Sequence, residues 1–435
     1  MNEPPDRPRP APRGRLRRVL DDLGGGLPRA YWWLWTGMLV NRVGGFIIAY
    51  LALYLTERRG LSPSETGLVV ALYGAGAALA GPVAGVLTDR VGRRPTMLLS
   101  LALGGACAVA LGLVERPAAI AALVLTTGFV GEMYRPPVQA AVADLVPPAD
   151  RARAYGLLYW AVNLGFSLGF TLGGLLATVS WVAVFAVDGL TTLAFAAVVW
   201  RRVPETRPAG LSAEHPRAAL AGALRPMADR VYAPFLLLNF LVALVFFQFQ
   251  LVLPLDMRAH GLGPAAYGAL LSLNGIVIVL VQPAASRWLT RFDRSRVMAA
   301  AALLVGTGFG MHGLMHSAPA YALAIVVWTL GEIANHPVAS ALAADLSPAP
   351  LRGRYQGAFS LSWALAFLAA PALGGAVLSS RGAGAVWAGS FALMLLVAAG
   401  QLHLGPARRR RLAELAAAGG EPPPYARDAS AGPAG

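Results

Sequence analysis

The sequence contains no lysine; all 36 of its basic residues are arginine. Acidic residues are also scarce, 22 in 435, so charged side chains make up 13% and the formal net charge is +14. A soluble globular chain carries about 25% charged residues, so the shortfall excludes an ordinary soluble domain. The arginines fall in loops and tails rather than along an aromatic-interleaved face, which argues against nucleic acid as a partner. There is one cysteine, Cys107, inside an apolar run, which excludes an intrachain disulfide and any cysteine-based metal cluster. The six histidines show no metal-ligand spacing. No nucleotide-binding glycine loop and no appended soluble domain occur. These absences leave no catalytic constellation, and neither an enzyme nor a metal or organic cofactor is expected. Residues 1–30 are rich in Arg and Pro and lack a short apolar core ending in a cleavage site, so no signal peptide is read there.

What is abundant is apolar length. Hydrophobic residues make up 56%, gathered into twelve segments, most of them long enough to cross about 30 Å of hydrocarbon. They run 31–56, 65–88, 95–114, 118–143, 152–178 and 181–200, then 232–256, 265–289, 295–315, 320–344, 352–378 and 384–405. The expected fold is therefore an all-α integral membrane protein with twelve transmembrane helices, numbered 1 to 12 below. Alternate loops differ in arginine content. One side's loops hold five (Arg58, Arg59, Arg116, Arg258, Arg381) and the other's hold seventeen, from Arg90 to Arg354. The richer side is expected to be cytoplasmic, which places both termini inside a cell membrane.

The longest connection, 201–231, separates two sets of six helices, 31–200 and 232–405. The halves repeat. GEMYRPPVQAAVADLVPPADRARAYG from Gly131 aligns with GEIANHPVASALAADLSPAPLRGRYQG from Gly331. Helices 4 and 10 thus correspond, as do 5 and 11, and Glu132 corresponds to Glu332. The tail 406–435, with Arg408 to Arg411 followed by Pro, Gly and Ala, reads as a polybasic anchor leading into disorder.

Between helices 2 and 3 stands Gly85-Val86-Leu87-Thr88-Asp89-Arg90-Val91-Gly92-Arg93-Arg94. The pattern G-x-L-x-D-R-x-G-R-R resembles the signature of the major facilitator superfamily. The resemblance covers all twelve segments and implies two pseudo-symmetric six-helix bundles working by alternating access, with the proton gradient as energy source. It also implies a cytoplasmic gate, in which Asp89, Arg90, Arg93 and Arg94, with Asp144 ending helix 4, hold the halves together at the start of helix 11 near Arg352. Loop 8–9 is a worn copy, with Thr290 in place of Asp89. In helix 5, Gly156, Gly165, Gly169, Gly173 and Gly174 resemble the superfamily's antiporter motif, although Phe170 stands where that motif has proline. These small residues also suit close helix packing.

Ionisable groups at membrane depth cost about 2.5–3.5 kcal/mol or more and require a partner or a wet cavity. Arg42 lies about 16 Å into helix 1 and Glu132 about 21 Å into helix 4, so the two are expected to pair near the midplane. Glu132 is the first candidate for proton coupling and Glu332 the second; the alternative for each is a hydrogen-bonded packing role. Arg135, just before Pro136-Pro137, either meets an anionic substrate group or stabilises Asp188, and Asp188 is expected to pair structurally. Asn41, Asn335 and His336 are further cavity candidates. Helix 4 lacks the arginine that drug exporters of the superfamily carry about two turns in, unless Arg135 substitutes. The Asn41-Arg42-Val43-Gly44-Gly45-Phe46 start and the proline-rich helix 4 resemble bacterial proton-coupled multidrug exporters. The expectation is a proton-driven exporter of small amphipathic compounds, acting as a monomer in the bilayer. Uptake of a sugar, peptide or organic acid is the alternative within transporters, and a membrane sensor the one outside them.

Overall fold

A computed structural model describes residues 26–147, 150–207, 225–289, 291–348 and 351–419. All elements among them are helical, and twelve helices are long and apolar enough to cross a membrane. In order they are Arg29–Arg58, Pro63–Arg90, Arg93–Leu113, Pro117–Leu145, Arg153–Val179, Trp181–Arg202, Tyr232–Gln250, Pro264–Ala285, Arg294–Leu314, Ala318–Asp345, Arg354–Arg381 and Ala383–His403.

Local chemistry explains where several of them start. Ser62 and Glu65 form a reciprocal capping box, with Pro63 at the first helical position, so helix 2 has a defined beginning. Ser180 caps helix 6 and Asp293 caps helix 9 through their side chains. Gly92 turns the chain into helix 3 at φ +125°, a conformation that disfavours any other residue.

Three helices are interrupted at mid-depth. Helix 1 stops at Val43 and resumes at Ile47, after Gly44 and Gly45. Helix 4 stops at Glu132 and resumes at Arg135, where Pro136 and Pro137 withhold two amide donors. Helix 7 changes to a tighter turn over Phe247–Gln250. Such breaks are tolerated in a membrane only where protein or a wet cavity satisfies the freed backbone groups.

The two halves meet along helices 2 and 11 and along helices 5 and 8. On helix 2, Gly67, Gly74 and Gly81 recur every seven residues and so share a face. At Gly67 a Cβ would strike the carbonyl of Pro371, and at Gly74 it would lie 2.9 Å from the Leu368 backbone. About 10 Å further along, Gly81 has nothing within 4 Å, and neither has Gly85. Helices 5 and 8 behave alike. A Cβ at Gly174 would lie 2.6 Å from the Pro264 carbonyl, whereas Gly156 faces open space. The halves are therefore closed together at the end bearing loops 1–2 and 7–8, and part towards the arginine-rich end. An ion pair between Glu57 and Arg258, 2.8 Å, spans them at the closed end.

After helix 12 the chain does not become irregular at once. Residues Gly405–Gly419 form a further helix, unlike the disordered segment that composition suggested from 406 onward. Three of its arginines have protein partners. Arg408 is 1% exposed and donates to Gln401, while Arg409 and Arg411 pair with Asp293 and Asp229. Pairing outweighs the polar composition here.

Candidate functional site: a cavity between the halves

The broken segments of helices 1, 4 and 7 border a cavity of about 670 Å³. Its ionisable residues, Arg42, Glu132, Arg135 and Asp188, all come from the first half. The second half contributes Phe247, Trp363, Phe367 and Ser360. One wall is charged and the facing wall is aromatic.

The charged wall is not wired as its spacing in sequence suggested. Glu132 pairs with Arg135, three residues on, at 2.5 Å, and accepts a hydrogen bond from the Tyr73 hydroxyl at 3.1 Å. Arg42 does reach the cavity, but it donates to the Tyr134 hydroxyl, and its guanidinium stands 5.1 Å from the centre of the Phe166 ring. The expected Arg42–Glu132 pair is thus replaced by two separate arrangements. The physical reason is local spacing: Arg135 follows Glu132 by three residues and shares its helix face, while Tyr134 stands beside Arg42. Arg135 pairs with Glu132 on its own helix rather than with Asp188.

Asp188 is held by the backbone of helix 1. Its Oδ2 accepts the amides of Phe46 and Ile47 at 2.8 and 2.9 Å. Those are donors left free when helix 1 restarts, and an anion there also suits the helix dipole. Asn41 donates to Thr192 at 2.8 Å and so joins helix 1 to helix 6 beside the cavity.

The second-half candidates are scattered. Glu332 sits between helices 8 and 10, accepting from Asn274 at 2.9 Å, and Asn274 also reaches Thr329. Asn335 is buried, with its side-chain oxygen unpartnered among the described residues. His336 stands 5.7 Å from Trp363, ring to ring. Glu132 and Glu332 correspond in sequence but not in surroundings: among the described residues one pairs with an arginine and the other accepts from a neutral amide.

The loop 2–3 motif forms one cluster inside the first half. Arg93 is almost fully buried and pairs with Asp144 at 3.1 Å and Asp89 at 3.5 Å. The repeat reproduces this in the second half, where Arg294 pairs with Asp345. The Asp89 side chain is 55% exposed, and its described partner lies in its own half. That fits halves parted at this end. The side chain of Arg352 lies outside the described residues, and so does Thr290. Arg90 contributes its carbonyl, which accepts from Arg207, and Arg94 contributes its amide, which donates to Glu205. Gly85 is not a close-approach position.

The helix 5 glycines divide by neighbour. Gly165, Gly169 and Gly173 admit helix 1 at Arg42, Val43 and Phe46; Gly174 admits helix 8; Gly156 touches nothing within 4 Å and has no packing role here.

Sequence reasoning missed the aromatic residues of the site, Tyr73, Tyr134, Phe166, Phe247, Trp363 and Phe367, because aromatics in apolar segments carry no distinguishing spacing. It also missed Glu205. The only signal there was an acid directly after helix 6, opposite a run of arginines.

The sequence profile of the Major Facilitator Superfamily matches residues 34–257 and 235–427. The chain belongs to that superfamily. Among its relatives is a Na(+), Li(+), K(+)/H(+) antiporter of Planococcus maritimus, 24% identical, covering 75% of this chain and 84% of that one. Another is the multidrug resistance protein MdtH of Aeromonas salmonicida, 24% identical over 80% of this chain and 87% of its own. Among solved structures, the nucleoside transporter NupG superposes with a TM-score of 0.75 at 13% identity, covering 86% of this chain and all of that one. At that identity the likeness is one of fold. The protein is a multi-pass transporter of the major facilitator superfamily.

Proposed function

We propose that this transporter exports small amphipathic compounds from the cytoplasm in exchange for protons. On this reading the arginine-rich end, where helix 1 begins and helix 12 ends, is the cytoplasmic one. Two relatives support the class of activity, one named for multidrug resistance and one for cation/proton antiport. The observation that carries the reading is the Glu132–Arg135–Tyr73 cluster, facing an aromatic wall inside the cavity.

The cycle follows from that cluster. Paired with Arg135, Glu132 is a carboxylate, so the inward-opening form has already released its proton. An apolar or cationic compound entering from the cytoplasm finds aromatic surface on one side and a carboxylate on the other. Cation–π contacts contribute about 0.5–2 kcal/mol each. When the cavity opens outward, protonation of Glu132 removes the negative charge and frees Arg135. The compound then leaves, and the protonated form returns. Glu332 lacks an arginine and takes the secondary place.

The test is accumulation of dyes and antibiotics in efflux-deficient cells, with a protonophore added midway. Wild type lowers accumulation until the protonophore abolishes the difference. Glu132→Gln, which keeps the size and cannot release a proton, should cut proton-driven export at least tenfold while inserting normally. Export by this variant at the wild-type rate would remove Glu132 from coupling. No effect of wild type on any compound, with proton-dependent accumulation of a metabolite instead, would reverse the direction.

A further inference from the structure

A second cavity, about 710 Å³, lies away from the transport site, between the arginine-rich ends of helices 8, 9 and 10. Its walls are apolar, from Val281 and Ala285 on helix 8 through Ala300 and Leu304 on helix 9 to Ala334 on helix 10. Among the described residues one charged side chain borders it, that of Arg296, in the first turn of helix 9. Arg296 is exposed, and among the described residues its guanidinium meets no carboxylate. Trp288 and Phe292 pack edge to face at 4.7 Å beside it and are themselves exposed. Aromatic side chains favour the headgroup level.

The fold does not require this opening. In the first half, Met133 fills the corresponding place, 3% exposed and packed on Ala80 and Ala84. In the repeat the unbranched Met133 is replaced by the β-branched Ile333, and Ala80 by Val281.

We propose that this groove seats an anionic phospholipid, with an acyl chain between helices 8 and 10 and its phosphate on Arg296. From Arg296 to Leu304 helix 9 rises about 12 Å, a depth that suits the upper part of an acyl chain. A lone arginine at the mouth of an apolar groove complements such a molecule at both ends, and basic pockets between membrane helices bind anionic headgroups. A soluble anion would leave the apolar walls uncovered. A neutral lipid would leave the guanidinium unpaired.

Native mass spectrometry of the purified full-length protein tests this, with phosphatidylglycerol or phosphatidylcholine of identical acyl chains added. Wild type should bind one phosphatidylglycerol about fivefold more tightly than phosphatidylcholine, the factor expected of one arginine near an anionic group. Arg296→Gln should abolish the preference and Arg296→Lys retain most of it. Ala300→Phe, or Leu304→Trp where the first folds poorly, should remove the tightly held lipid of either kind. Equal binding of the two lipids by wild type would overturn the assignment, as would a preference unchanged in Arg296→Gln. Displacement of the bound lipid by a transported dye at equal concentration would make the groove a substrate site and overturn it as well.

Discussion

At the scale of single residues, the informative comparison is between two buried carboxylates of the first half. Asp188 meets only donors fixed by the backbone, the amides of Phe46 and Ile47. Glu132 meets an arginine and a tyrosine hydroxyl that can both rotate away. A group that must gain and lose a proton needs partners that can leave. A group that caps a broken helix needs partners that cannot. Asp188→Ala strands the Ile47 amide and leaves the Phe46 amide only the Gly44 carbonyl, and an unsatisfied donor costs about 1–3 kcal/mol. The variant should melt several degrees lower than wild type in detergent, with Asp188→Asn in between. Glu132→Gln should leave the melting temperature within a degree or two while export fails. If Asp188→Ala melts like wild type, the aspartate does not hold helix 1 together.

At the scale of elements, the link between the halves begins as part of the first half. Glu205 lies just beyond helix 6 and accepts the amides of Arg93, Arg94, Thr206 and Arg207 at 2.8–3.1 Å. It thereby caps helix 3 from outside. Burial alone would raise its pKa, but the four backbone donors outweigh that and hold it below the usual 4.5. An acid depressed in the folded state adds stability above its unfolded pKa and loses it as the pH falls through the folded value. The wild type should therefore lose thermal stability as the pH drops below about 4.5, and Glu205→Gln should lack that part of the slope. An identical acid profile in the variant would show that the cap contributes nothing. In the sequence this contact showed only as an acid after helix 6 opposite a run of arginines, because a linker acid has no periodicity. The twelve helices, the internal repeat and the Arg93–Asp144 cluster were legible, since hydropathy, repetition and a dense motif each leave a pattern. Partner choice at the site was not. Arg42 and Glu132 lie at similar depths, but depth does not say which neighbour is nearer: Arg135 reaches Glu132 within helix 4, and Tyr134 reaches Arg42 across the helices. The helix over Gly405–Gly419 escaped for a related reason: its polar composition resembles disorder until Asp229, Asp293 and Gln401 are placed beside it.

At the scale of the whole molecule, the proposed cycle makes the balance between inward- and outward-opening forms rest on the closed end, and magnitudes indicate which contacts there matter. The Glu57–Arg258 pair is partly exposed, with 23% and 54% of the side chains accessible, and such pairs contribute about 0–1 kcal/mol. The glycine seam is stiffer. A Cβ on Gly67 would strike the Pro371 carbonyl, and one on Gly268 the Phe170 carbonyl, so backbone rather than a flexible side chain would have to yield. Overpacking of this kind costs about 1–3 kcal/mol. On the proposed cycle the cost falls only on the form closed at this end, since the seam parts when the cavity opens outward. Gly67→Ala and Gly268→Ala should therefore each shift the population towards the outward-opening form, roughly 5- to 150-fold for that range of free energy. Spin labels on loops 1–2 and 7–8, in a background carrying Cys107→Ser, report this directly. The inter-label distance should lengthen in both variants, and export should slow because the return to the inward form becomes limiting. Breaking the ion pair with Glu57→Gln should lengthen it far less. Distance distributions that match wild type in both alanine variants, with normal export, would mean that the seam yields locally and that some other contact sets the balance.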